Sequence, residues 1–161
     1  MPGSPKSLAA AMALAMVLTM TSCNSGGAIM GSGEVVLDAH PVGRVGTALV
    51  VTGGFALYVF LPDEHSRVTC VSRCAEIWPP LQLAPHGRIV TGPGVDRNLV
   101  ATVPDPGGGG RVVTYDGWPL YRYISDTAPY EAAGQGLNLN GGPWYVMAPT
   151  GQPLIPRSAS G

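Results

Sequence analysis

The feature that most constrains the fold of this chain is an internal repeat. The seven residues Leu57–Asp63 (LYVFLPD) return as Leu120–Asp126 (LYRYISD), at an offset of 63 positions. Both copies read tyrosine, any residue, an aromatic residue, two further residues and aspartate. Two copies are too few for a solenoid, which needs about three or more. The repeat therefore predicts two related halves of one domain.

A turn signal precedes each copy, between two runs of β-prone residues. Gly53-Gly54 and Asp116-Gly117 supply the positive φ that a two-residue hairpin turn requires. We predict the hairpins Thr47–Thr52 with Phe55–Leu61 and Arg111–Tyr115 with Trp118–Ile124, and a further strand at Asn98–Val103. No segment has a helical period longer than about three turns. The predicted fold class is all-β, with two pseudo-symmetric, hairpin-centred halves forming one small sandwich or partly closed barrel.

The amino terminus is typical of a bacterial lipoprotein signal. Lys6 precedes the apolar run Leu8–Met20, and Thr21-Ser22-Cys23 follows it. This run is too short to cross a bilayer core of roughly 30 Å. We expect residues 1–22 to be removed and Cys23 to be lipidated. The chain is then predicted to be anchored by its lipid to the cell membrane, in the bacterial envelope outside the cytoplasm.

Composition sets the remaining boundaries. Residues 23–44 are expected to be the lipidated cysteine and a flexible tether, with folding starting between Glu34 and Val45. Residues 45–156 are expected to form the repeat domain, with halves at about 45–87 and 98–151, and residues 157–161 a tail. The mature part holds eight arginines against ten acidic residues and no basic cluster, so nucleic acid is not expected as a partner.

Several motifs in a fixed order resemble a known family. They are the two Tyr-x-aromatic-x-x-Asp copies, Cys70-x-x-x-Cys74 with Trp78-Pro-Pro-Leu, Thr114–Tyr121 (TYDGWPLY), and Gly134-Gln-Gly with Gly142-Pro-Trp-Tyr. Together, over about residues 45–151, they resemble the bacterial lipoproteins described as a secreted repeat of unknown function. The resemblance implies a fold and a location outside the cytoplasm, and it implies no activity. The first turn, Thr52-Gly53-Gly54, departs from the pattern, because an acidic residue or asparagine is expected ahead of the glycine.

The repeated motif has a structural and a functional interpretation. Side chains two apart on a strand share a face, so Tyr58 lies beside Phe60, and Tyr121 beside Tyr123. Asp63 and Asp126 fall just past the strands, where a carboxylate can accept backbone N–H bonds and hold the outgoing loop. The alternative is an aromatic ligand platform with aspartate as a polar contact. Two further motif residues, Trp78 and Trp144, are expected to be structural counterparts of each other.

The cysteines form an anchor and a pair. With Cys23 lipidated, Cys70 and Cys74 remain, and outside the cytoplasm the expected state of such a pair is a disulfide. The alternative is a copper site, in which the pair is joined by soft or imidazole ligands from elsewhere in the chain. The candidates for that role are His65, His86 and Met147.

No motif of an enzyme is present: the chain has no Gly-x-Ser-x-Gly elbow, no His-Glu-x-x-His and no phosphate-binding loop. We therefore expect a non-enzymatic, lipid-anchored envelope protein without a cofactor. It would bind an unknown envelope protein or small ligand, or serve structurally. The glycine-rich segment Gly134–Gly142 is either a binding loop or an ordered turn beneath Trp144. The alternative function is a redox-active or copper-handling lipoprotein that uses Cys70 and Cys74.

Overall fold

The computed structural model of the protein describes Met1, Gly3 and residues 33–108 and 110–156. The predicted cleavage and lipidation at Cys23, almost all of the signal peptide and the tail 157–161 lie outside the described residues. Within the described part, no helix is long and apolar enough to span a membrane.

The described residues form mostly short strands, which confirms the all-β class. The strands are β1 (Glu34–Val42), β2 (Gly46–Val51), β3 (Phe55–Ala56), β4 (Tyr58–Phe60), β5 (Gln82–Leu83), β6 (Arg88–Thr91), β7 (Val100–Pro104), β8 (Arg111–Tyr115), β9 (Trp118–Pro119), β10 (Asn138–Leu139) and β11 (Gly142–Val146). One short α-helix, α1 (Arg73–Ile77), and two 3₁₀ turns, Leu61–Asp63 and Arg97–Leu99, complete them. The strands are arranged in the orders β3-β2-β1-β6, β10-β11-β4 and β5-β8-β7, and β9 also pairs with β8.

The folded part begins earlier than the predicted tether allows. Strand β1 pairs antiparallel with β2 and parallel with β6, so residues from Glu34 onward belong to a sheet. The tether assigned to residues 23–44 is therefore wrong at its carboxyl-terminal end. Asp38, His40 and Pro41 interrupt the apolar alternation of β1, and only Leu37 and Val42 are fully buried in this strand. That interruption hid the strand from pattern analysis.

Both predicted hairpin turns are present. Gly53 and Gly54 have φ of 89° and 81°, and Asp116 and Gly117 have φ of 48° and 78°. Positive φ at both central positions is the conformation that such turns require. Each turn delivers its chain directly into the repeated motif, so the two motifs enter the domain in the same way.

The two halves are intertwined around a pseudo-twofold axis. Tyr58 and Tyr121 donate backbone N–H bonds to each other's carbonyl oxygens, both at 2.9 Å. Val146 of β11 pairs with Tyr58, and in the equivalent place Pro80 pairs with Tyr121. The final segment of each half thus lies against the motif strand of the other half. Neither half has a complete set of strand neighbours of its own.

The buried side chains form two clusters, divided by the motif strand. Tyr58 and Phe60 point into a cluster that holds the aromatic motif residues. Leu57 and Val59 point into a second, mostly aliphatic cluster, which we call the aliphatic cluster. Alternation along a strand sends neighbouring side chains to opposite faces. The aromatic residues of the motif strand therefore line one core, and the residues that alternate with them line the other.

Candidate functional site

The motif aromatics form a continuous stack of four rings inside the domain. The order is Tyr123, Trp78, Trp144 and Phe60, with successive ring centroids 4.2, 4.0 and 4.4 Å apart. The two indole planes at the centre differ by only 2°. Trp78 and Trp144 are both fully buried, so the stack is core and not an exposed platform.

The stack is pseudo-symmetric, because the third residue of each motif packs on the tryptophan of the other half. Tyr123 of the second motif lies on Trp78, and Phe60 of the first motif lies on Trp144. Tyr58 meets Trp78 edge-on at 5.3 Å, and Tyr121 meets Trp144 edge-on at 5.2 Å. Stacked and edge-on pairs of this kind each stabilise a core by about 0.5–1.5 kcal/mol beyond their burial.

The tyrosines and aspartates of the motif also pair across the halves. The hydroxyl of Tyr58 donates to Oδ2 of Asp126 at 2.8 Å, and the hydroxyl of Tyr121 donates to Oδ2 of Asp63. The other carboxylate oxygen of each aspartate accepts a backbone N–H from its own following loop, at 2.8 Å from Thr69 and 2.9 Å from Ala133. Each aspartate thus holds its own loop and the opposite tyrosine together.

Burial alters the ionisation of these four groups. Desolvation raises the pKa of Asp63 and of Asp126, although the hydrogen bonds that each carboxylate accepts oppose the shift. Desolvation, reinforced by the adjacent carboxylate, also raises the pKa of Tyr58 and of Tyr121 far above its usual range. Both tyrosines therefore stay protonated hydrogen-bond donors at any physiological pH.

The two halves differ where the cysteine pair lies. Cys70 and Cys74 form a disulfide, with Cα atoms 5.1 Å apart, and Cys74 lies within α1. In the second half the corresponding segment is the β10–β11 hairpin, where Leu139 accepts a hydrogen bond from the indole nitrogen of Trp144 at 3.0 Å. The Gly134–Gly142 segment is thus an ordered turn that contacts Trp144. The indole nitrogen of Trp78 has no partner among the described residues.

The residues of the alternative copper set lie in separate environments. Nδ1 of His65 is 3.0 Å from the carbonyl oxygen of Asp116, and His86 stands in a turn with φ of 62°. Met147 is buried in the aliphatic cluster, whereas Cys70 is buried in the aromatic one. Within residues 33–108 and 110–156, no group of three or more histidine, cysteine, aspartate or glutamate residues could hold a metal ion.

Two cavities of about 420 Å³ each lie beside the loops that follow the two motifs. The first, which we call the acidic cavity, lies beside the disulfide and is lined by Val71, Ala75, Pro79, Pro80, Gln82 and Asp105, among others. The second, the basic cavity, is lined by Arg44, Val45, Gln135, Leu154, Ile155 and Pro156.

Asp105 was not predicted from the sequence, because it stands in a Pro-Asp-Pro-Gly run typical of a connection. The available signal was aspartate two residues before a glycine, a pattern in which the side chain caps a turn. Gly107 does donate its backbone N–H to Asp105, at 2.8 Å.

Comparison with known proteins bears on one stretch of the chain. No curated protein and no solved structure matches the chain. Residues 103–148 match the model of a family described as a secreted repeat of unknown function, and that description agrees with a location outside the cytoplasm. This stretch contains β8, the second motif and Trp144. Residues 103–148 are thus similar to the secreted repeat of unknown function, the family that the sequence motifs resemble.

Proposed function

We propose that the protein is a lipid-anchored module of the bacterial envelope that binds a partner or ligand and catalyses no reaction. The observation that carries this proposal is the use of the motif side chains. Tyr58, Tyr121, Asp63, Asp126, Trp78 and Trp144 are at most 5% exposed, and they contact one another across the two halves. Side chains engaged in this way build a rigid scaffold, which supports a role in presenting surfaces and cavities.

The anchoring part of the proposal rests on Cys23. An apolar run too short to span a bilayer, followed by Thr-Ser-Cys, is the pattern that lipoprotein processing requires. Each acyl chain contributes about 0.8 kcal/mol per buried methylene, so two or more chains give stable attachment. The folded domain would then stand off the membrane on residues between Cys23 and Glu34.

Anchoring is tested by expressing the full chain and its Cys23→Ala variant in a bacterial host. The unaltered chain is expected to fractionate with membranes and to incorporate an alkyne-tagged fatty acid. Cys23→Ala should lose the label and leave the membrane fraction, whereas Ser22→Ala, which keeps a small residue before the cysteine, should behave as the unaltered chain. Fatty-acid label retained in Cys23→Ala would contradict the proposal.

The state of the cysteine pair separates this function from the redox or copper-handling alternative. Full chain isolated from the envelope is expected to show no alkylation of Cys70 or Cys74 in its intact mass, and no bound copper. After reduction, both thiols should be alkylated. Two free thiols with about one equivalent of copper would favour the alternative and contradict the module proposed here.

A further inference from the structure

We propose that the acidic cavity binds a guanidinium or ammonium group carried on a short aliphatic body. The inference rests on the proposed function, since it assigns a ligand class to a binding module. The volume of the acidic cavity is appropriate, because pockets for small ligands span about 300–1,000 Å³. The cavity is a junction of both halves: the Cys70–Ala75 segment lies on one side, and the β7–β8 turn with Asp105 on the other.

A buried carboxylate gives the cavity its charge preference. Asp105 is 7% exposed; its Oδ1 accepts from the backbone of Gly107, and its Oδ2 accepts from Nε2 of Gln82 at 2.5 Å. Both partners are neutral, and the ion pair found in the described residues joins Arg88 to Glu34, away from this site. A buried charge without a counter-ion is unfavourable, so a cation that enters the cavity gains free energy.

The carboxylate also has acceptor capacity left. Two carboxylate oxygens offer about four lone-pair sites, and one on each oxygen is used. One site on each oxygen is the arrangement that two parallel N–H bonds of a guanidinium require. An ammonium group can use the same sites as a point charge.

Four of the other lining residues are apolar, and the rest include a serine and two glycines. Val71, Ala75, Pro79 and Pro80 face the cavity, and the Cys70–Cys74 disulfide fixes the segment that carries the first two. Prolines have a fixed φ, so little conformational entropy is lost when a ligand contacts them. These walls suit the methylene chain next to the cation.

The basic cavity supplies an internal comparison. Thr69 and Ala133 make the same backbone bond to their motif aspartates, so Val71 and Gln135, two residues later, are equivalent. The hairpin turn beside Gln135 carries the exposed Arg44, whereas the turn of the acidic cavity carries the buried Asp105. The two cavities thus differ in the charge of a lining residue, and the cationic ligand is expected at the acidic cavity alone.

The test is calorimetric titration of the detergent-solubilised full chain with butylguanidinium and with butylurea, its uncharged isostere. Butylguanidinium is expected to bind saturably at one site, and butylurea not to bind at the same concentrations. Asp105→Asn should weaken butylguanidinium binding about tenfold or more, because a charged hydrogen-bond partner is lost. Arg44→Gln, in the basic cavity, should leave the affinity unchanged.

A second variant keeps the test decisive if Asp105→Asn does not fold. Ala75→Leu keeps the carboxylate and fills the space beside it, and should weaken binding to a similar degree. Absence of saturable butylguanidinium binding, an affinity unaffected by Ala75→Leu, or equal binding of butylurea would each overturn the inference. Butylurea binding alone would show that the protein is a binding module for a different ligand class.

The source of the cation is distinguished by a third titrant, acetyl-Gly-Arg-Gly-amide. Tighter binding of this peptide than of butylguanidinium supports the site with an arginine side chain of a partner protein as its ligand. Weaker binding supports it with a small free cation. The anchoring and cysteine experiments are independent of these titrations. A failure of the proposed function can therefore be distinguished from a failure of the cation site.

Discussion

Asp63 and Asp126 each connect two parts of the chain that are far apart in sequence. One carboxylate oxygen holds the loop that follows the motif, and the other accepts the tyrosine hydroxyl of the opposite half. Carboxylate is suited to this position, since both oxygens act as acceptors and no donor is needed. Each aspartate thus accepts at least two hydrogen bonds, and Asp63 accepts a third from the hydroxyl of Thr69.

Replacing either aspartate by asparagine is expected to destabilise the domain. The amide has a single acceptor oxygen, so either the tyrosine hydroxyl or the backbone N–H loses its partner. Asp63→Asn and Asp126→Asn should each lower the free energy of unfolding by about 1–3 kcal/mol in urea titrations. Glu64→Gln, an exposed neighbour, is the matched control. Unchanged stability in both aspartate variants would contradict a structural role for the motif.

The buried tyrosines make stability sensitive to alkaline pH. Tyrosine in the unfolded chain ionises near pH 10, whereas burial raises the pKa of Tyr58 and Tyr121 well above this in the folded state. Their stabilising contribution is complete below about pH 10 and declines above it, by up to about 1.4 kcal/mol per pH unit for each tyrosine.

This dependence is measured as the free energy of unfolding in urea between about pH 8 and pH 11. The Tyr58→Phe, Tyr121→Phe double variant should show a shallower decline, and Tyr130→Phe, at an exposed position, should not change it. A decline of equal steepness in the double variant would show that other groups control the alkaline transition.

The positions of the motif residues on strands and loops could be predicted from the sequence, whereas their contacts across the two halves could not. Strand alternation correctly put Tyr58 beside Phe60, and the placement of the aspartates at loop starts agrees with the structure. A repeat, however, shows which residues are equivalent and not whether each contacts its own copy or the other one. The exchange of partners between Tyr58 and Asp126 therefore could not be predicted from one chain.

At the scale of elements, the segments that position Trp78 and Trp144 have different structures in the two halves. The first half uses α1 and a disulfide before its tryptophan, and the second half uses the β10–β11 hairpin. A five-residue helix leaves almost no periodicity to detect. The hairpins with Gly-Gly and Asp-Gly turns were predictable, because positive φ restricts the residues allowed there.

Gly134 is expected to be indispensable where the second loop crosses the stack. A Cβ at this position would lie 2.6 Å from Cη2 of Trp78 and 3.0 Å from Cε1 of Tyr58. Gly134→Ala should therefore cost about 1–3 kcal/mol of stability through overpacking. Gly110→Ala is the control, since a Cβ there meets no atom within 4 Å. Equal melting temperatures of the two variants would contradict the close packing described.

At the scale of the whole molecule, the exchange of final segments makes the two halves one folding unit. Val146 completes the strand pairing of Tyr58, and Pro80 completes that of Tyr121. Unfolding of either half exposes the stack and both tyrosine–aspartate pairs. The domain is therefore expected to lose both halves together.

Hydrogen exchange under native conditions tests this cooperativity. The backbone amides of Tyr58 and Tyr121, which bond to each other's carbonyls, should exchange with the same free energy of opening, equal to that of global unfolding. The amide of the exposed Glu64, which bonds only to Leu61 in a short 3₁₀ turn, should exchange much faster. A difference of more than about 1 kcal/mol between the two tyrosine amides would indicate that one half opens alone.

The paired indoles at the centre of the stack also give the molecule a built-in optical reporter. Of its three tryptophans, Trp78 and Trp144 lie face to face across the pseudo-twofold axis, and Trp118 lies apart in the aliphatic cluster. Two of the three indole chromophores thus lie at the contact between the halves. Separation of the halves is therefore expected to change the near-ultraviolet circular dichroism of the protein without any added label.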